Sequence, residues 1–257
     1  MENNQFPREI ALCLSGGAAR GAYQLGVISV LEENNIQIKA ISGTSIGALI
    51  GASVACGKSA KEIFEVIKSK EFRSVFKYRF FKSYVFELNH SAEVINKIIG
   101  ITAFSELCIA LNVCVCDVVK ESALYVDDSD DLKEIVLASC SIAPLFKPVV
   151  YKGKTLVDGG IVDNFPVEQL QKYGLPIIGV NLYPRMKHVP SSLFSWLKWV
   201  VHTAWQSRYH QKEKLCDFYV SNEQLNSVKV FSFKDLDRAY SLGKVDMQHL
   251  IDEYTNS

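Results

Sequence analysis

The spacing of apolar positions changes along the chain, and each change marks an element. Residues 9–14 form a short apolar run that stops at Ser15-Gly16-Gly17. A run of that length ended by glycine predicts a buried strand entering a tight turn. From residue 21 to 34 apolar side chains recur at helical spacing through Leu25, Ile28 and Leu31, which predicts a helix. Residues 38–41 read as a second short strand, running into Gly43-Thr44-Ser45-Ile46-Gly47 and then a small-residue helix over 48–55, closed by Gly57. This strand–helix–strand–helix order predicts a mainly parallel sheet covered by helices.

Further on, helices are predicted over 61–70, 91–99 and 132–140, and a strand pair over 111–119 and 124–126. Cys114 and Cys116 alternate in the first of that pair and so share one face, as core fillers. Residues 149–157 read as a small hairpin through Lys152-Gly153, and 176–183 as another buried strand. All three tryptophans, Trp196, Trp199 and Trp205, fall in 193–210, whose pattern predicts an amphipathic helix. Strands over 218–221 and 228–233 and a helix over 235–254 complete the reading. No repeat, low-complexity tract or linker interrupts the chain, so residues 1–257 are read as one α/β domain.

Composition narrows the class. Apolar residues make up 48% of the chain, ample for a sizeable core, and 28 basic residues balance 28 acidic ones. Balanced charge gives no reason to expect a nucleic-acid partner. The polar first nine residues lack the apolar region of a signal peptide, and no apolar stretch approaches the ~18 residues of a membrane span. The seven cysteines show no zinc-like spacing; an odd set of this kind reads as reduced thiols in a cytoplasmic protein. Residues 68–86 interleave Lys68, Lys70, Arg73, Lys77, Arg79 and Lys82 with seven Phe and Tyr. That stretch is either a cap folded onto the core or a membrane-facing surface, and 193–210 offers the same pair of readings.

Three local features carry candidate chemistry. Gly43-Thr44-Ser45-Ile46-Gly47 is a G-x-S-x-G sequence between a predicted strand and a predicted helix. There the flanking glycines let the backbone pack closely while the Ser45 hydroxyl projects above the sheet edge, near the free amides of the next helix. Ser15-Gly16-Gly17-Ala18-Ala19-Arg20-Gly21 is a glycine-rich turn after the first strand. It fits a dinucleotide fingerprint poorly and lacks the Gly-Lys-Ser/Thr of a P-loop. It fits either an oxyanion hole, with the Gly17 and Ala18 amides as the leading donors, or a glycine turn needed only for packing. Asp158-Gly159-Gly160, after strand-like residues 154–157, is by itself ordinary turn chemistry.

A serine nucleophile needs a base. Of His90, His188, His202, His210 and His249, His188 alone sits in a loop after a late strand, where an α/β-hydrolase carries its histidine. The other possibility is a carboxylate that takes the serine proton directly, its basicity raised by burial.

Together these residues resemble the patatin-like phospholipase family. The resemblance rests on Gly16-Gly17-Ala18-Ala19-Arg20-Gly21, Gly43-Thr44-Ser45-Ile46-Gly47 and Asp158-Gly159-Gly160 in that order, on residues 138–149 before the Asp, and on residues 162–167 after it. It covers residues 8–183. It implies a three-layer α/β/α fold with a mainly parallel central sheet and a Ser-Asp dyad without histidine. Ser45 is then the nucleophile and Asp158 the base, with Gly16, Gly17, Ala18 and Arg20 at the oxyanion hole. Gly43 and Gly47 are the elbow glycines, Gly21, Gly159 and Gly160 the other motif glycines, and no metal or other cofactor is needed. The implied activity is hydrolysis of fatty acyl esters of phospholipids or lysophospholipids, by a cytoplasmic protein that touches membranes peripherally through 68–86 or 193–210. An acyltransferase of related architecture and a catalytically silent lipid-binding regulator are the alternatives. One departure is that Ala18 stands where the family has the third glycine of its run. Its Cβ is tolerated there only at a negative φ, so the oxyanion geometry depends on which φ the loop takes.

Overall fold

The computed structural model describes residues 5–73, 76–78, 86–88, 93–129, 131–185, 189, 191–206 and 209–257. In chain order the elements are β1 (Glu9–Leu14), α1 (Gly21–Glu33), β2 (Gln37–Thr44), α2 (Ile46–Ala55), α3 (Ala60–Lys68), α4 (Lys70–Arg73), β3 (Phe76–Tyr78), β4 (Phe86–Leu88) and α5 (Glu93–Ile98). Then come β5 (Ala110–Asp117), β6 (Ser122–Val126), α6 (Leu132–Ser139), β7 (Val149–Tyr151), β8 (Lys154–Asp158), β9 (Ile177–Val180), α7 (Leu193–Gln206), α8 (Tyr209–Lys212), β10 (Phe218–Val220) and α9 (Leu236–Thr255).

Eight strands form one mixed sheet in the order β10-β9-β1-β2-β5-β8-β7, with β6 also paired to β5. The five strands from β10 to β5 are parallel neighbours; β6, β7 and β8 join antiparallel. The two faces are unequal, and the strand sequences say why. In β1, Ile10, Leu12 and Leu14 point into the main core with residues of α1 and α2, while Ala11 and Cys13 point the other way. Those small side chains let the 3-10 segment Val167–Tyr173 lie close, its Val167 and Leu170 packed with Phe165 in a second, thinner core. The sheet is thus flanked on both faces, as a three-layer α/β/α fold requires.

Register explains how distant residues converge. β2 runs parallel to β5 and its last residue, Thr44, pairs with Cys114. β8 runs antiparallel to β5 and its last residue, Asp158, pairs with Val115. β6 occupies the other edge of β5 over residues 113–117, so β2 and β8 share one edge and meet end to end. The chain leaves both strands at that junction, one step before Ser45 and at Asp158.

The expected strand over 228–233 does not form: the segment is a series of turns. Its carbonyls serve the glycine-rich loop rather than a ladder, Val228 accepting from Arg20 Nε at 3.0 Å and Val230 from the Ala19 amide at 2.9 Å. The expected 193–210 helix is α7 followed by α8. Of the basic-aromatic stretch 68–86, residues 74–75 and 79–85 lie outside the described residues, as do His90 and His188.

Candidate active site

Ser45 caps the N-terminus of α2 with φ 55° and ψ −124°, a conformation costly for a residue with a Cβ and typical of a strained strand-to-helix elbow. Close backbone packing holds it. A Cβ on Gly47 would lie 2.3 Å from the Leu14 carbonyl oxygen, and one on Gly43 would lie 2.6 Å from Gly47. These glycines therefore let the elbow sink against β1. Gly21, opposite, leaves room for Ile46. The Ser45 amide donates to Ser139 Oγ at 2.8 Å, and Thr44 Oγ1 donates to the Asp163 carbonyl at 2.9 Å.

Asp158 ends β8 and caps a 3-10 turn, its Oδ1 accepting the Gly160 amide at 2.7 Å. Gly159 sits against the Cys114 backbone, where a Cβ would come within 2.4 Å of the carbonyl oxygen. Asp158 Oδ2 is buried and has no hydrogen-bond partner among the described residues. Burial pushes the carboxyl pKa up to about 6, against the smaller opposing pull of the Ser45 hydroxyl and then of the Gly160 amide. The Ser45 hydroxyl is thus close enough to act on the carboxyl.

The glycine-rich loop completes the site unevenly. The Gly16 amide donates to the Asn164 carbonyl at 3.2 Å, and Asn164 Nδ2 returns a bond to the Gly16 carbonyl at 3.3 Å. Arg20 is buried and spends its guanidinium on the Val228 and Leu182 carbonyls, both at 3.0 Å, with its charge 5.2 Å from the Tyr183 ring centroid. The Arg20 amide donates to the Gly17 carbonyl at 3.1 Å. Of the four residues expected at an oxyanion hole, Gly16 and Arg20 are thus engaged elsewhere, while the Gly17 and Ala18 amides have no acceptor among the described residues.

Ala18 has φ 47°, so the loop takes the positive φ at which a Cβ is penalised. The Ala19 and Arg20 tethers that follow it set the path of the turn, and the alanine carries the left-handed strain, about 1 kcal/mol. Ala18→Gly is therefore expected to raise the melting temperature by roughly 1–3 °C, read by calorimetry. An unchanged or lower value would count against strain at this residue.

Ser45 and Ala18 also line an apolar cavity of about 480 Å3, walled by residues that include Leu49, Ile95, Leu137, Ile142, Phe146 and Phe233. Among the described residues Ser45 carries the one hydroxyl in its wall. Sequence reasoning missed this cavity and the roles of Ser139 and Asn164, because its walls come from α2, α3, α5, α6 and the 228–233 turns at once. Among the histidines, His249 lies exposed on α9, paired with Glu253 at 3.3 Å. His202 and His210 are placed on α7 and α8 by their backbone alone.

The sequence profile of the patatin-like phospholipases matches residues 12–170, more than half of the chain. The chain belongs to the patatin-like phospholipase family. Among this patatin-like chain's curated relatives, lysophospholipase NTE1 of Scheffersomyces stipitis is 30% identical over 210 residues, spanning 76% of this chain and 13% of that protein. YqhO of Bacillus subtilis is 30% identical over 209 residues, 68% of this chain and 72% of YqhO. Among solved structures, VipD of Legionella pneumophila superposes with a TM-score of 0.56 over 97% of this chain and 68% of its own, at 15% identity. The chain thus spans only a small part of the NTE1 relatives, and the structural likeness concerns the patatin-like fold.

Proposed function

We propose that this chain is a serine lipid acyl hydrolase that cleaves fatty acyl esters of lysophospholipid or phospholipid type. The observation that carries the reading is the junction of β2 and β8. There the buried carboxyl of Asp158 and the Ser45 hydroxyl come together, and Ser45 and Ala18, beside Gly17 in the glycine-rich loop, line an apolar cavity. Membership of the patatin-like family, and relatives named lysophospholipases, support it.

In this reading the acyl chain occupies the cavity, with its ester carbonyl over Ser45. Asp158 takes the hydroxyl proton as Ser45 Oγ bonds to the carbonyl carbon. The carbonyl oxygen gains the negative charge and rests against the Gly17 and Ala18 amides. Collapse breaks the ester bond, and the departing alkoxide leaves with the proton from Asp158 as the alcohol. Water then gives a proton to Asp158 and its oxygen to the acyl-serine. The second collapse returns the proton to Ser45 Oγ and releases the fatty acid. A carboxylate with a pKa near 6 is a better base than an ordinary aspartate, yet ionised at neutral pH. The test is a lipid-panel assay of wild type and Ser45→Ala, with fatty acids read by mass spectrometry. Release by the wild type alone supports the reading; release by both, or by neither on any acyl ester, overturns it.

The approach to lipid aggregates is assigned to α7. Leu193, Trp196, Leu197 and Val200 recur at three- and four-residue intervals and are exposed by 79%, 45%, 58% and 53%, an apolar stripe suited to an interface. Among the described residues no helix is long and apolar enough to cross a membrane. In this reading the contact is peripheral, and the seven free thiols support a reducing compartment as its setting. The double variant Leu197→Glu, Val200→Glu is expected to bind phosphatidylcholine–phosphatidylglycerol vesicles at least about tenfold more weakly. Its turnover of a soluble short-chain ester stays unchanged. Equal sedimentation with vesicles would remove α7 as the interface.

A further inference from the structure

The C-terminus of α6 reaches both halves of the proposed dyad. Ser139, its last residue, is fully buried. Its hydroxyl donates to the Cys114 carbonyl at 2.7 Å and accepts the Ser45 amide at 2.8 Å. The polarity of this pair is forced, because a carbonyl can only accept and an amide can only donate. The hydroxyl therefore cannot turn away, and it ties the Ser45 peptide to the same β5 residue that pairs with Thr44. Two residues later, the Ser141 carbonyl accepts the Asp158 amide at 3.0 Å, and Ser141 Oγ is itself bound to the Leu137 carbonyl at 2.8 Å. One three-residue segment thus grips the backbone of the serine and of the aspartate.

The Ser45 amide needs such a partner. It lies beyond the last rung of β2 and ahead of the first bonded turn of α2, so neither ladder nor helix can satisfy it. A φ of 55° at a serine persists only where the surroundings over-determine it. We propose that Ser139 is a positioning residue: its hydroxyl locks the strained Ser45 peptide to β5 and so sets the approach of the Ser45 hydroxyl to Asp158. This rests on the hydrolase reading above and adds a residue to it.

The distinguishing readout is the acid limb of activity. The Ser45 hydroxyl opposes the rise of the Asp158 pKa, so a displaced hydroxyl lets that pKa climb further. Among the described residues the other titratable groups that feel Asp158 are Cys140, Cys114, Cys116 and Tyr183. Burial raises the pKa of each, so all four stay neutral across this range and the limb reports the carboxyl. Loss of a merely supportive hydrogen bond would lower thermal stability and leave the limb where it was.

The experiment compares wild type, Ser139→Ala and Ser139→Thr on a soluble p-nitrophenyl ester, with Ser45→Ala as the reference. Ser139→Ala is expected to lower kcat about 10- to 100-fold with KM little changed, as a nucleophile misplaced by a fraction of an ångström does. Its acid limb should move to higher pH, and Ser139→Thr, which restores the hydroxyl, should recover both. If the alanine protein does not fold, Ser139→Cys, of similar size but a weak acceptor, is judged by the same two criteria. A kcat within twofold of wild type, or an unmoved acid limb, overturns the assignment of Ser139 and leaves the hydrolase reading intact. An inactive wild type, or an active Ser45→Ala, overturns the hydrolase reading instead.

Discussion

Ser45→Ala is expected to lower kcat for acyl-ester hydrolysis by about 10⁴–10⁶-fold while the protein stays folded. The size follows from what the substitution removes. No acyl-serine can form, so the two easy half-reactions become one direct attack by water, for which the site has no placed nucleophile. The Gly17 and Ala18 amides and the cavity remain, which is why some acceleration over uncatalysed hydrolysis survives. Folding is largely spared, because the bonds that hold the elbow are made by its backbone. The Ser45 amide still reaches Ser139, and Gly43 and Gly47 still pack as before. Intact-protein mass spectrometry after a fluorophosphonate probe gives an independent readout, with one adduct on wild type and none on Ser45→Ala. Equal labelling of both would place the nucleophile elsewhere.

Asp158→Asn is expected to cost about 10³–10⁵-fold in kcat and at the same time to make the protein more stable. The amide keeps an oxygen for the Gly160 N–H, so the turn survives, but it cannot take the Ser45 proton. The stability gain follows from linkage. The carboxyl pKa rises from 3.8 to about 6 on folding, so the folded protein holds this proton over a range where the unfolded chain has lost it. The group therefore contributes nothing below about pH 4. It becomes progressively unfavourable as pH rises to about 6, and above that opposes folding by roughly 2–3 kcal/mol. At pH 7.5 the Asn variant should melt about 5 °C above wild type, and the difference should shrink at pH 5. In the wild type, activity should rise with pH through about 6, since only the ionised carboxylate accepts the proton. A wild-type profile flat between pH 5 and 8, or an Asn variant retaining a tenth of the activity, would exclude Asp158 as the base.

The positions of the elements were legible wherever a local pattern governs them. β1 is found at the residues its apolar run predicts, and α1, α2 and α6 lie within two residues of their periodic segments. The Lys152-Gly153 hairpin forms because both residues take the positive φ that a tight two-residue turn demands. The 228–233 segment shows where such reading fails. Val228 and Val230 alternate with Lys229 as in a strand, yet their carbonyls serve Arg20 and Ala19, and Val230 lines the cavity. Alternation reports which side chains share a face and is silent about what their backbone bonds to.

The same division runs through the site. Ser45 in its elbow, the glycine turn and Asp158-Gly159-Gly160 could be named from the sequence, because each is a local demand for small residues beside one reactive group. Which amides stay free, the left-handed φ of Ala18, the raised pKa of Asp158 and the grip of Ser139 could not. Each of those depends on segments about 20 to 210 residues apart. They are brought together only when β2 and β8 meet end to end on β5 and the chain after β10 closes over the loop. Local sequence determines what a segment can do; burial and pairing across the sheet, which belong to the whole fold, decide which of those possibilities the molecule uses.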